Sequence, residues 1–261
     1  MTTANKKKKN KSRAQRLKTF RERKKKQLFD AENMLNPALI AAGKTIVSMI
    51  CNSRKYTVIK RIFCAPELAE IKEFGLRRVE EKGIAPRLIN FDRQHLKNRY
   101  EYEFYKQFSD PILPPDCLLE FLAFLQFLLP NVHYTRASII RSIGKCPQQP
   151  RHSDSAEYFD SVSENGRRDP DIAPWSIIMA LEPRENRTGI IIEQPNGRGK
   201  LIDLPPGTGI LMRGDLRHAG LRYESENCRL FVALGTVEFP NDGETIGALN
   251  VIKKINRAQN V

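Results

Sequence analysis

Residues 204–220, LPPGTGILMRGDLRHAG, decide how this chain folds. Pro205, Pro206 and Gly207 have the chemistry of a tight turn, because proline presets φ and glycine enters the left-handed region without strain. Residues 209–213 then read as a short strand, and His218 stands at the head of the next one. The texture stays the same outward from here. Short β-branched and apolar runs at 134–143, 175–181, 189–193, 200–204, 219–223 and 229–237 alternate with breaks rich in Gly, Pro and Asn, such as Pro195-Asn196-Gly197. Many short strands with no helical period between them predict an all-β sandwich or barrel and argue against a parallel sheet.

Upstream the pattern is mixed. A helix is expected from about Pro37, and a strand at 56–64 (YTVIKRIFC). Residues 65–82 place Leu68, Ile71, Phe74 and Val79 at helical spacing, with Gly83 as a stop. Residues 115–129 (PDCLLEFLAFLQFLL) read as a largely buried helix, started by Pro115 or capped by Asp116 and ended at Pro130. Its Phe and Leu stripe is expected to be core. The chain thus divides into a basic tail at 1–27, a mixed and largely helical region at 28–115, and a strand-rich core with its supporting helix at 116–261. No catalytic pattern stands out in 28–115.

Charge is concentrated in the tail. Of the formal net charge of +14 over 261 residues, residues 1–27 hold +12, from thirteen Lys and Arg against Glu22 alone. Such a segment repels itself and has too little apolar surface to pack, so disorder is expected. Its clusters at 6–9 and 21–26 read either as a nuclear or nucleolar address, bound by an import receptor, or as a nucleic-acid contact. Cytoplasm is the alternative location. The tail lacks the apolar run of a secretory signal, and 118–129 is too short to span a bilayer, so no membrane partner is expected. Five widely spaced cysteines (Cys51, Cys64, Cys117, Cys146 and Cys228) with no C-x-x-C fit reduced thiols and no structural zinc.

Two of the four histidines sit where strands deliver loops. His152-Ser153-Asp154 follows a strand and the Pro- and Gln-rich loop 146–151. Residues two apart in an extended segment share a face, so His152 and Asp154 can point at one ion. His218 is the third candidate ligand. Two imidazoles and one carboxylate on one side of an ion leave positions open, as suits non-haem Fe(II), and zinc would tolerate the same set. No further catalytic side chain is identified beyond these ligands. His95 and His133 are expected to be structural. Residues 155–174 are polar and strand-free, a lid or a surface loop.

The segment 137–237 resembles the double-stranded β-helix (jelly-roll) core of Fe(II)- and 2-oxoglutarate-dependent dioxygenases, in the prolyl 4-hydroxylase-like group. His152, Asp154 and His218 match that family's H-x-D…H facial triad, and Arg229 matches the basic residue that grips the far carboxylate of 2-oxoglutarate. The resemblance implies a mostly β protein with flanking helices, using Fe(2+), 2-oxoglutarate and O2, with ascorbate as an accessory reductant. It implies hydroxylation of a substrate C–H bond. Residues 1–115 carry none of the matching motifs.

Arg229 also recommends itself on physical grounds. A buried carboxylate needs a paired cation, and Arg229 opens the apolar strand 230–234, where an unpaired guanidinium would be costly. Arg222 is the rival, since a hairpin turning at 224–227 would set it roughly opposite Arg229. Tyr134, Ser142 and Thr236 are candidate hydroxyl partners of the co-substrate. Arg151 and Arg217, each next to a triad histidine, and Arg222 are candidate substrate contacts. The substrate itself is not legible, and the basic arm fits a protein or a nucleic acid. Three other readings stay open: a nucleic-acid or lysine demethylase of the same superfamily, a non-catalytic β-helix protein that binds RNA or chromatin through its arm, and a cupin-like metalloenzyme indifferent to Arg229.

Overall fold

The computed structural model describes residues 22, 26, 37–52, 54–82, 87–91, 94–106, 113–129, 132–155, 174–182 and 188–236, with backbone alone at 51, 82, 87–91, 94–97, 105–106 and 132–135. Most of the basic tail and the body of the 155–174 loop lie outside the described residues. In chain order the elements are α1 (Pro37–Cys51), β1 (Tyr56–Ile59), α2 (Ala65–Lys82), β2 (Arg87–Phe91), β3 (Gln94–Lys106), α3 (Asp116–Leu128), β4 (Val132–Ser142), β5 (Trp175–Ala180), β6 (Thr188–Glu193), β7 (Gly199–Leu204), β8 (Gly209–Arg213), β9 (His218–Gly220) and β10 (Asn227–Thr236).

These strands form two sheets. The larger runs β1-β8-β5-β10-β4-β3-β2, the smaller β7-β6-β9, and every pairing is antiparallel. The expected jelly-roll, mostly β with flanking helices, is the fold observed. β10 lies between β5 and β4, with Arg229 opposite Ala180 on one side and Ile140 on the other. All ten of its residues are buried. Such a strand reads as a continuous apolar run because both its faces are covered. Leu230, Val232 and Leu234 join the core shared with the helices, while Phe231 and Ala233 join the core between the sheets.

The helices cover the outer face of the larger sheet. In α2 the expected stripe of Leu68, Ile71, Phe74 and Val79 is buried, and Phe74 meets Phe104 of β3 edge to face at 5.9 Å. The Glu67 carboxylate accepts the Cys64 backbone N–H at 2.6 Å, which satisfies an end of the helix that would otherwise lack a partner. α2 lies so close to the sheet that a Cβ on Gly75 would come within 2.7 Å of Ile139 Cγ1. α3 starts after Pro115, whose carbonyl accepts the N–H groups of Leu118 and Leu119, and it buries Leu118, Phe121, Leu122, Phe124, Leu125 and Leu128.

The Pro-Pro-Gly turn forms as expected. Thr208 N–H donates to Pro205 O at 2.9 Å, and Gly207 takes φ +68° at the third position, as a type II turn demands. A Cβ there would lie 2.5 Å from Phe63 O.

Four elements depart from the sequence expectation. β1 stops at Ile59, because Arg61 turns into the left-handed region (φ 54°) and breaks the extension. β9 ends at Gly220, where the chain leaves the small sheet. Tyr223 then bridges Cys146, and β10 begins in the larger sheet, so no hairpin joins Arg222 to Arg229. β2 and β3 were not expected, and with β1 they carry the larger sheet upstream of residue 115.

Candidate metal centre

A strand, an isolated bridge and a turn build the site. His218 opens β9, and His152 faces it in an isolated bridge, each donating its backbone N–H to the other's carbonyl at 2.9 and 2.8 Å. Asp154 stands in the turn that follows. Ser155 N–H donates to Gly214 O, which ties that turn back to the end of β8. Side-chain nitrogens of both histidines and a carboxylate oxygen of Asp154 lie within 4.8 Å of one another. His152 Nε2 is 3.7 Å and His218 Nε2 3.5 Å from Asp154 Oδ1.

Neighbouring groups fix the orientation of each ligand. His152 Nδ1 sits 2.9 Å from Pro150 O and His218 Nδ1 3.0 Å from Leu216 O. A carbonyl can only accept, so each Nδ1 is assigned the proton and each Nε2 a lone pair aimed at the cluster. Asp154 Oδ2 accepts the Ser176 hydroxyl at 2.6 Å, which leaves Oδ1 facing the histidines. Burial, followed by the neighbouring His218, pushes the His152 pKa down to about 4, so its imidazole is neutral near pH 7. For Asp154 burial acts upward, but His218, His152 and the Ser176 hydrogen bond outweigh it and hold the carboxyl below its ordinary value. Two imidazole nitrogens and one carboxylate oxygen are the donor set a divalent transition metal takes.

Arg229 points from β10 into the space between the sheets, and its residue is 1% exposed. Its Nε and Nη2 are buried and have no hydrogen-bond partner among the described residues. Beside it lies a residue the sequence did not single out. Arg99, on β3 opposite Ser142, is 0% exposed. Its Nε donates to Ser142 Oγ at 3.3 Å, and its Nη2 to Leu221 O at 2.6 Å and Pro147 O at 3.2 Å. Its Nη1 is buried without a partner among the described residues.

Both guanidiniums stand over the Tyr223 ring, at 5.7 Å for Arg99 and 5.3 Å for Arg229. Both Nη1 atoms lie within 3.0 Å of the point a Cβ on Gly220 would occupy, so they are at most about 6 Å apart. Two unit charges at that separation repel by roughly 3 kcal/mol at an effective dielectric of about 20. Burial and then the Arg229 charge push the Arg99 pKa down to about 10. Among the described residues no carboxylate pairs with either arginine.

The other candidates fall elsewhere. Ser142 is buried beside the pair as the acceptor of Arg99. Thr236 is seven residues along β10 from Arg229, roughly 23 Å at 3.3 Å per residue, and alternation sets it on the face of Leu234, toward the helices. Tyr134 pairs with Leu234 at that same distant end, and its side chain lies outside the described residues, as do those of His95 and His133. Arg222 is 69% exposed on its side chain and pairs with Glu224 at 2.6 Å. It therefore points away from Arg229, contrary to the hairpin expectation. Arg151 and Arg217 both bind Glu193 of β6, at 3.3 and 3.2 Å, and so brace the small sheet behind the histidines.

No protein-family model matches the chain, and neither does any curated protein sequence. Solved structures do match. A prolyl 4-hydroxylase from Pseudomonas putida aligns with TM-score 0.51 at 10% identity, over 75% of this chain and 98% of its own. A Trichoplax adhaerens prolyl hydroxylase, in complex with a peptide from the oxygen degradation domain of hypoxia-inducible factor, aligns with TM-score 0.50 at 10% identity, over 90% of this chain and 97% of its own. At such identity the likeness is one of fold.

Proposed function

We propose that this protein is an Fe(II)- and 2-oxoglutarate-dependent oxygenase that hydroxylates a C–H bond of a protein side chain. One observation carries the reading: an open cluster of two imidazoles and one carboxylate shares the space between the sheets with a buried guanidinium that lacks an anion. His152, His218 and Asp154 would hold the iron, and Arg229 the far carboxylate of 2-oxoglutarate. Once bound, iron and 2-oxoglutarate supply the activation of O2 for C–H oxidation, with the co-substrate converted to succinate and CO2.

The chain's own residues bind, orient and exclude water. The Pro150 and Leu216 carbonyls hold both imidazoles in one tautomer, and Ser176 holds the carboxylate. Ile140, Ile178 and Phe231 line the apolar core beside Arg229, where a buried ion pair is screened less than in water. The test is anaerobic titration with Fe(II) and then 2-oxoglutarate, following the visible charge-transfer band of a chelated 2-oxo acid. The band should vanish in Asp154→Ala and need far more 2-oxoglutarate in Arg229→Ala. Metal uptake without the band would favour a cupin-like metalloenzyme, and no uptake a binding protein of the same fold.

The protein substrate and a nuclear or nucleolar location are inferred from the +12 carried by residues 1–27. Deleting those residues should release the protein from the nucleus. If instead the deletion abolishes a salt-sensitive affinity for RNA, the arm is a nucleic-acid contact, and a nucleic-acid substrate takes precedence.

A further inference from the structure

One bidentate guanidinium satisfies one carboxylate. Arg229 alone would therefore suffice for the far end of 2-oxoglutarate, and the second buried cation beside it needs its own explanation. A structural role covers part of Arg99. Its Nε and Nη2 tie β3 to Ser142 and to the Pro147 and Leu221 carbonyls. Neutral donors could make those ties without burying a charge next to Arg229. The ties also orient the guanidinium, so that the remaining Nη1 packs against Gly220 beside Arg229 Nη1. Only a glycine at 220 allows this approach, since a Cβ there would strike Gln149 Oε1 and both Nη1 atoms. Gln149 Oε1, held by the Gly220 N–H at 2.8 Å, brings only a neutral acceptor.

We infer that Arg99 and Arg229 form a two-armed clamp for the far carboxylate of the co-substrate, and that Arg99 makes the site selective for dianionic 2-oxo acids. The donors left without a partner among the described residues, Nε and Nη2 of Arg229 and Nη1 of Arg99, are the ones the carboxylate would take up. A 2-oxo acid with a methyl group at that end would leave two buried cations unpaired where a single-arginine site leaves one, so the discrimination is sharper. The inference rests on reading the site as one for 2-oxoglutarate.

The test uses the full chain loaded with Mn(II), and calorimetric titration with 2-oxoglutarate and with 2-oxopentanoate, which keeps the chelating end and lacks the far carboxylate. Wild type should bind 2-oxoglutarate strongly in preference. Arg99→Gln should weaken 2-oxoglutarate by about tenfold to a hundredfold while changing 2-oxopentanoate by less than about threefold and leaving Mn(II) affinity intact. If Arg99→Gln binds 2-oxoglutarate like wild type while Arg229→Gln does not, Arg99 only pins the backbone: the clamp falls and the functional reading stands. If wild type binds Mn(II) and no 2-oxoglutarate, both fall. Should Arg99→Gln lose its cooperative melt, Arg99→Lys decides. A lysine keeps the charge but cannot serve two carbonyls and the ligand at once, so a loss of about tenfold supports the clamp and unchanged affinity overturns it.

Discussion

His152 and His218 exchange both backbone hydrogen bonds across one β-bridge, and their rings lie 4.5 Å apart between centroids. The two candidate ligands are therefore brought together by the backbone itself. Each imidazole is turned by the carbonyl two residues before it, and Asp154 closes the third side under the control of Ser176. A cluster so supported costs little reorganisation when an ion binds.

Ser176→Ala removes the hydroxyl that holds Asp154 Oδ2 at 2.6 Å. The expected result is a ten- to hundredfold weaker Fe(II) or Mn(II) affinity, of the order found for groups that orient metal ligands, with the melting temperature little changed. Metal affinity equal to wild type would show that the turn at Asp154 needs no help from β5.

Arg222 and Arg229 were sequence rivals, and the fold separates them. Arg222→Ala removes an exposed side chain paired with Glu224, so stability should move by less than about 0.5 kcal/mol and 2-oxoglutarate binding not at all. A binding defect in this variant, measured beside Arg229→Ala, would return Arg222 to the site.

Gly207→Ala places a side chain at φ +68° with its Cβ against Phe63 O. The strain and the contact together should cost about 1–3 kcal/mol, read as a lower urea midpoint at constant slope. An unchanged midpoint would mean that the turn between β7 and β8 relaxes freely.

Asp215 accepts two hydrogen bonds from Arg213, at 2.7 and 2.8 Å, and pairs with Lys55 at 2.9 Å. Burial acts to raise its pKa, but these partners outweigh it and hold the carboxyl below 3.8. A depressed folded pKa stabilises the protein above the unfolded value, and that contribution is lost as the pH falls through the folded one. Asp215→Asn should therefore cost about 1.5–3 kcal/mol at pH 7 and less as the pH drops below about 4. Urea unfolding of both proteins from pH 7 to pH 3 checks this, and curves that stay parallel in acid would refute it.

Local chemistry made much of the fold legible. The Pro-Pro-Gly turn, the strand at 209–213, the stripe of α2 and the buried run of α3 each follow from residues a few positions apart. β3 was missed, although Tyr100, Tyr102 and Phe104 alternate with Arg99, Glu101 and Glu103 in a strand period. The sequence reading left it inside a mixed, largely helical region. The charges face inward or pair across strands, as Arg136 does with Glu101 and Glu103.

The sequence by itself singled out the candidate metal ligands, because His152, Asp154 and His218 stand at strand ends and turns whose geometry is dictated locally. It also marked Arg229, by setting a cation at the mouth of an apolar strand. Tertiary structure alone decided which other side chains share the site. Arg99 is one of 44 Lys and Arg residues, and its role depends on carbonyls at Pro147 and Leu221, far along the chain. Arg222 and Thr236 left the site for the same reason in reverse. Where a long side chain ends is set by sheet register and by the crossing between sheets, and neither is encoded within the few residues around it.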